Sequence, residues 1–266
     1  QGNVSVDAGV DGIALSGTAD GTGDIILFAR GDATGQLLFT ESNATVEITG
    51  NAVIDAKAPT GSTGKASVII ASDAQAGVQK LDYDKTAGKY VITAKRDDAD
   101  IHNTVTALTK IGSGASISAD GLVTVTATAD NKMSASFIEK LRDDILQYVW
   151  ETTPISQIAA YATWAKLKTN ADVVIEDGAT VTGGTGVGIE AKSRTILKAE
   201  GASGIERTIS YDWANDVPAI GVSVGIGDSD AHVDVKGTVK SGGDLAIGAK
   251  NEIESTVTGE MVFRNT

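Results

Sequence analysis

The sequence predicts an all-β protein: a right-handed parallel β-helix, or β-solenoid, with an inserted α-helical hairpin. Two observations predict the β-helix. Apolar and polar residues alternate in short runs that glycines interrupt, and one such pattern recurs along the chain at a spacing of roughly sixty residues. A third observation, the absence of glycine from Lys132 to Lys168, indicates the hairpin. The predicted hand follows because parallel crossover connections are almost always right-handed.

The composition suits narrow stacked strands better than a compact globular core. Among 266 residues there are 31 glycines, 3 prolines and only 5% aromatic residues, so valine, isoleucine and alanine must fill the interior. The chain has no cysteine, which excludes disulfides, thiolate metal sites and a cysteine nucleophile. A net charge of −13 disfavours nucleic acid as a partner, and no apolar run approaches the ~18 residues of a membrane span. We therefore expect an elongated protein that neither binds nucleic acid nor inserts into a membrane.

The repeating unit is clearest in residues 171–192, which read ADVVIEDGATVTGGTGVGIEAK. Residues 231–250 repeat its pattern, and looser copies begin at residue 44 and near residue 107. The unit contains three short alternating runs separated by glycine-rich corners, which is typical of strands joined by tight turns. We read it as one turn of a coil, which predicts about eleven coils of ~20 residues and a rod of ~50 Å at ~4.8 Å per coil.

The chain divides into three parts by this pattern. Residues 1–131 are predicted to form coils, residues 132–169 the hairpin, and residues 170–266 further coils of the same elongated domain. Within the first part, residues 81–85 and 89–95 indicate either the two arms of a hairpin or two longer rungs of the coil, and the charged run 95–100 indicates a solvated loop. The pattern is already under way at both termini, which predicts a fragment of a longer chain.

The hairpin is predicted from apolar residues at helical spacing. Ser136 and Glu139 fit a capping box at the start of a helix over residues 134–151. Thr153 and Pro154 fit the start of a second helix over residues 154–168.

The two best-matching blocks carry a resemblance to a known family. Residues 219–250 (AIGVSVGIGDSDAHVDVKGTVKSGGDLAIGAK), set beside residues 171–192, resemble the repetitive bodies of giant bacterial surface proteins. These are the filamentous-haemagglutinin-like and leukotoxin-family filamentous adhesins. The resemblance implies a secreted or cell-surface rod for adhesion or cell–cell contact. The implied partners are other copies or neighbouring segments of the filament, and a surface protein or glycan of a host or neighbouring cell.

The sequence contains little that points to catalysis. Of its two histidines, His102 is predicted to lie in a loop and His232 at an outward-facing strand position. We therefore predict no catalytic residue and a structural, adhesive function. The alternative from another class is a polysaccharide-active β-helix enzyme (a lyase, hydrolase or epimerase), which would require acidic and basic side chains clustered in an outward groove.

Calcium is the one ion that the sequence leaves open. The calcium-roll motif G-G-x-G-x-D fails because Gly188 stands where the aspartate is required. Isolated aspartates remain as weak ligand candidates: Asp97, Asp100, Asp228 and Asp230. They support a second alternative, a calcium-stabilised carbohydrate-binding module, and no other cofactor is predicted.

Aromatic residues are the candidate partner contacts. Trp150, Tyr161 and Trp164 lie in the predicted hairpin, and Trp213 in a predicted loop. An exposed aromatic patch is typical of binding surfaces. We expect these four residues to form the partner site if the chain has one.

Overall fold

The fold is described from a computed structural model, in which residues 4–8, 13–15, 18–34, 39–77, 83–84, 89–90, 98–137, 159–201, 219–259 and 261–262 are described. All regular structure in these residues is β-strand. None of them belongs to a helix that could cross a membrane. The strands are β1 (Val4–Ala8), β2 (Ile13–Leu15), β3 (Thr18–Thr22), β4 (Ile25–Thr34), β5 (Phe39–Ile48), β6 (Val53–Lys57), β7 (Val68–Gly77), β8 (Tyr83–Asp84), β9 (Lys89–Tyr90), β10 (Asp98–Ile111), β11 (Ser116–Ala119), β12 (Leu122–Phe137), β13 (Ala159–Ile175), β14 (Thr180–Gly183), β15 (Gly186–Gly201), β16 (Ala219–Val235), β17 (Thr238–Ser241), β18 (Asp244–Gly259) and β19 (Met261–Val262).

Three parallel sheets make up most of this structure. Sheet A has the order β1-β4-β7-β12-β15-β18, sheet B has β19-β16-β13-β10-β5-β2, and sheet C has β17-β14-β11-β6-β3. The chain runs from sheet B to sheet C to sheet A and then returns to sheet B. We call one such passage a circuit, and the described strands form five. Antiparallel pairing occurs twice among the described strands, between β8 and β9 and between β16 and β19. This topology is compatible with a parallel β-helix.

The register confirms the predicted repeat and corrects the size of the coil. Ala44, Ala107, Ala171 and Ala231, at the predicted starts of the four copies, are direct neighbours across sheet B. One repeat of roughly sixty residues is therefore one whole circuit, and the prediction of ~20-residue coils is wrong. Five stacked strands at ~4.8 Å span about 20 Å rather than ~50 Å. The error arose because the strands of sheets A and B continue well beyond the repeated blocks.

The interior is a stack of apolar rows, one from each sheet. In sheet A the row at the start of the strands contains Ile25, Val68, Val123 and Val187, all buried. Sheets B and C contribute equivalent rows, and the buried residues of all three form one core. Strict alternation of buried and outward residues places every second side chain in this core.

Where sheets A and B extend past sheet C, small polar residues replace the large apolar ones. Ser72 Oγ lies 2.9 Å from Thr109 Oγ1, and Thr169 Oγ1 lies 2.6 Å from Thr195 Oγ1. Each pair joins a strand of sheet A to a strand of sheet B. These buried hydroxyls satisfy each other and hold the two sheets face to face.

Corners between sheets B and C have four residues in each of three successive circuits, with a glycine at the second position of the first corner and at the third position of the other two. Gly50, Gly114 and Gly178 each adopt a positive φ, of 60°, 79° and 79°. L-residues with a side chain rarely adopt this conformation, so glycine is required for the turn. Beside these corners, Lys110 Nζ lies 3.1 Å from carboxylate oxygens of both Glu47 and Glu176, which links three circuits.

The predicted helical hairpin is wrong in the part of the chain that the structure describes. Residues 132–137 complete β12 and residues 159–169 begin β13, whereas residues 138–158 lie outside the described residues. Ala165, Leu167 and Thr169 alternate inward with period two. Because alanine and threonine give a weak hydrophobic signal, this alternation was hidden behind apolar residues at helical spacing.

Of the two alternatives for residues 81–95, the hairpin is confirmed where these residues are described, because β8 and β9 pair antiparallel. The loop predicted over residues 95–100 is wrong for its described residues, since β10 begins at Asp98. His102 likewise lies in β10 and is half-buried, not in a loop. Pairing with β13 extends the strand through residues 98–100 of this charged segment, and β5 joins from His102 onward.

Candidate functional site

The outer face of sheet B combines exposed apolar and charged side chains. It is formed by alternate side chains of the neighbouring strands β13 and β16. We call this surface the sheet B outer face and define it by Trp164, Lys166, Lys168, Asn170 and Asp172 on β13 and Val224, Ile226, Asp228, Asp230 and His232 on β16. It is apolar at one end and charged at the other.

The apolar end centres on Trp164, which is 43% exposed. Val224 is its direct neighbour in β16, and Ile226, two residues further on, is 41% exposed. We call Trp164, Val224 and Ile226 the Trp164 patch. Val224 itself is half-buried. An exposed indole near an exposed aliphatic side chain is typical of surfaces that bind a partner.

The Trp164 patch forms because this part of β16 has a small residue at its inward position and large residues at its outward positions. Gly225 points inward, and a Cβ atom there would lie 2.7 Å from Leu197 Cδ2 and 2.8 Å from Val257 Cγ2. These two side chains of sheet A therefore fill the interior that β16 would otherwise occupy. The large residues of this segment, Val224 and Ile226, are consequently on the outside.

The charged end pairs acidic residues with polar or basic ones. Asp228 lies opposite Lys168, Asp230 opposite Asn170, and His232 opposite Asp172. Burial raises the pKa of Asp172 and the nearby charge of Asp230 raises it further, whereas His232 acts in the opposite direction. Neighbours of mixed charge and a partly desolvated carboxyl group can accept and donate hydrogen bonds to a ligand.

The prediction for His232 is confirmed. It is an exposed residue on the outer side of β16, at the position that Asp172 occupies in the preceding circuit.

The four calcium candidates are not brought together in the described structure. Asp228 and Asp230 are exposed on the same face of β16. Asp100 belongs to β10, where it is the neighbour of Trp164, and Asp97 lies outside the described residues. Within the described ranges, no group of three or more histidine, cysteine or acidic residues is arranged to hold a metal ion. The calcium site stays a prediction.

Of the four predicted aromatic contacts, Trp164 is the one whose side chain is described on an outer surface. Tyr161 belongs to β13, opposite Gly221, and Trp150 and Trp213 lie outside the described residues. The sequence reasoning missed Ile226 and Val224 as surface residues. The alternation of these residues is visible in the sequence, because glycine and serine occupy every second position of residues 221–227 (GVSVGIG). The alternation alone does not show whether the small or the large residues face outward.

Comparisons of the chain with protein-family models, curated proteins and solved structures found no match.

Proposed function

We propose that this chain is a structural and adhesive segment of a large extracellular bacterial surface or filament protein. It is built as a right-handed parallel β-helix and mediates attachment or cell–cell contact through the sheet B outer face. The observation that carries the proposal is the Trp164 patch, in which the exposed side chains of Trp164 and Ile226 lie on either side of the half-buried Val224 on a repetitive scaffold. The resemblance of residues 171–192 and 219–250 to filamentous adhesins supports the same function.

The scaffold supports a mechanical function because its circuits are held in continuous register. β10, β13 and β16 are joined by uninterrupted ladders along sheet B, and β12, β15 and β18 by equally long ladders along sheet A. Each circuit is in contact mainly with its neighbours, so further circuits extend such a structure without changing it. A stiff rod of this kind holds a binding surface at a distance from the cell.

The chemistry of the sheet B outer face fits a surface protein or a glycan. The ring of Trp164 can stack on the apolar face of a sugar or receive an aliphatic side chain. Further along the strands, Lys168, Asn170 and Asp228 offer hydrogen-bond donors and acceptors. A ligand that lies along the strands would contact both ends of the surface.

The test is binding of the purified chain to cell surfaces and to a glycan array. We expect Trp164→Ala to weaken binding at least ~10-fold, as for a residue at the centre of an interface. Ile69→Ser is the matched control, because Ile69 is a similarly exposed aliphatic residue on the outer face of sheet A. Equal binding by the wild-type chain and Trp164→Ala would refute this assignment of the contact surface.

A second candidate is a polysaccharide-active enzyme, which the environment of Asp172 favours. Its raised pKa and its position beside Asp230 and opposite His232 are features of a general acid. The enzyme proposal predicts release of reducing ends from a polysaccharide and the loss of this release in Asp172→Asn. No release from any tested polysaccharide would exclude it in favour of adhesion.

The calcium-stabilised module makes a different prediction. If Asp228 and Asp230 bind calcium, a chelator lowers the melting temperature of the wild-type chain, and Asp228→Asn abolishes that effect. A melting temperature that does not change with chelator would remove calcium from the proposal.

A further inference from the structure

Charges of opposite sign lie on adjacent strands of the sheet B outer face. β13 contributes the ammonium groups of Lys166 and Lys168, and β16 contributes the carboxylates of Asp228 and Asp230. All four residues are exposed, and within the described ranges none of them forms an ion pair. Several other outward lysines do pair with carboxylates of the chain: Lys57, Lys110, Lys132 and Lys236. The four charges on β13 and β16 are therefore available to a partner.

We propose that this partner is a second copy of the chain, bound face to face through β13 and β16. The inference rests on the proposed function, because it names the partner of the surface proposed there. The two copies are related by a two-fold axis that runs parallel to the strands and midway between β13 and β16. Such a contact is isologous, so it closes as a pair of chains.

The axis places each outward residue of β13 opposite the β16 residue that is already its neighbour in register. A rotation about the strand direction leaves the position along the strands unchanged and exchanges the two strands. Three polar pairs result: Lys168 with the partner's Asp228, Asn170 with the partner's Asp230, and Asp172 with the partner's His232. Because every pair occurs twice, the face is complementary to itself in charge and in hydrogen bonding.

The charges also select this axis over the alternative. A two-fold axis across the strands would place β13 on the partner's β13 and β16 on the partner's β16. Neither free lysine of β13 could then meet the partner's Asp228 or the partner's Asp230. The axis along the strands reverses the stacking direction, so the two rods lie antiparallel. This is the orientation of rods that reach out from opposing cells.

The apolar end of the face fits the same arrangement. Trp164 lies opposite the partner's Val224, and the methylene stem of Lys166 lies opposite the partner's Ile226. Since positions along the strands are unchanged, the Trp164 patches of both copies meet at one end of the contact. Pairing therefore removes exposed apolar side chains from water.

The outer face stays open in a longer protein. Further circuits add strands at the edges of sheet B and do not cover its outward side chains. From position 164 to position 174 the face measures about 33 Å, and two strands are about 10 Å wide, so each chain buries roughly 330 Å². A stable interface buries about 800 Å² per partner, so one contact is weak and reversible, and many contacts along two rods add up.

Beads that each carry many chains make this weak contact measurable. The chain is attached through a biotin at its amino terminus, in salt of about 0.15 M, which screens the repulsion between chains of net charge −13 beyond ~8 Å. We expect wild-type beads to aggregate. Lys168→Asp and Asp228→Lys should each slow aggregation at least ~10-fold, because each brings two pairs of like charges into contact. Lys192→Asp is the matched control, since it makes the same charge change on the outer face of sheet A in the same circuit.

Mixing the two variants distinguishes a contact between chains from a structural effect. In a mixed pair, the new aspartate of Lys168→Asp faces the new lysine of Asp228→Lys, and the two unchanged residues face each other as in the wild-type pair. Equal numbers of the two kinds of bead should therefore aggregate with each other at about the wild-type rate. Melting curves show that each variant is folded.

Three outcomes would overturn the second copy as the partner: wild-type beads that do not aggregate, aggregation that neither charge variant slows, and a loss in both variants that mixing does not restore. If wild-type beads do not aggregate but bind a cell-surface protein or a glycan through Trp164, the proposed function stands with that partner. Beads that bind neither each other nor any cell or glycan refute the proposed function as well.

Discussion

Truncating one core residue in the fourth circuit and its neighbour in the fifth should have unequal effects on stability. Ile189 and Ile247 occupy the same inward row of sheet A, in β15 and β18, and are direct neighbours in the ladder. They differ in the number of neighbouring circuits. Described circuits pack on both sides of Ile189, whereas a described circuit packs on one side of Ile247. Changing each to alanine removes the same three carbons, so the comparison isolates the effect of stacking.

The magnitudes follow from burial. For Ile189→Ala, the lost transfer free energy is about 2.4 kcal/mol at ~0.8 kcal/mol per carbon, and the cavity that remains raises the total to about 3–4 kcal/mol. Ile247 is about half exposed, so its truncation should cost about 1 kcal/mol and leave no closed cavity. The expected difference in destabilisation is about 2–3 kcal/mol.

The assay is urea unfolding followed by far-ultraviolet circular dichroism. Equal destabilisation by the two variants would refute the inference that the second neighbouring circuit accounts for the larger cost at Ile189.

Three further predictions concern other parts of the stack. Gly121→Ala should destabilise the fold by about 1–3 kcal/mol, because the added Cβ atom would lie 2.6 Å from a carbonyl oxygen of the preceding circuit. Gly188→Ala is the control: the added Cβ atom contacts nothing there, so the melting temperature should stay the same or rise. Asn103→Leu should stabilise the fold by about 1–2 kcal/mol, because both side-chain polar atoms of this buried amide lack a hydrogen-bond partner. Thr109→Val should destabilise the fold, because it removes a hydroxyl group that is hydrogen-bonded. The opposite order of the two variants in urea unfolding midpoints would contradict this prediction. Asp172→Asn should raise the melting temperature at pH 7. Burial raises the pKa of Asp172 above its ordinary 3.8, so the stability that the protonated carboxyl group contributes is lost as pH rises through the raised pKa. At lower pH, where the carboxyl group is protonated, the melting temperatures of the variant and the wild-type chain should converge.

The corners could be predicted from the sequence because their chemistry is local. A glycine at the corners between sheets B and C is required by a positive φ at Gly50, Gly114 and Gly178, whatever surrounds it. The spacing of the repeat was also predictable, because the same inward positions recur in each circuit. Ala107 and Ala171 are in register for that reason.

The candidate site was only partly predictable. Trp164 could be singled out as a large aromatic residue in a chain with few of them, but the helix assigned to it was wrong. Its exposure depends on the strand that it occupies and on Val224 beside it. Gly225 faces inward because Leu197 and Val257 arrive from sheet A, which no local pattern in β16 reveals.

The residues alone were sufficient to predict β structure, parallel stacking and a repeat of roughly sixty residues, because alternation and glycine corners are properties of neighbours in the chain. The tertiary structure decided three further points: that one repeat is one circuit, that the segments on either side of residues 138–158 are strands, and which face of β16 is exposed. Each depends on side chains from distant circuits competing for the same interior volume. The space between sheets A and B can hold Leu197 or a large side chain at position 225, but not both. The large residues of this part of β16, Val224 and Ile226, therefore lie on the outer side with Trp164.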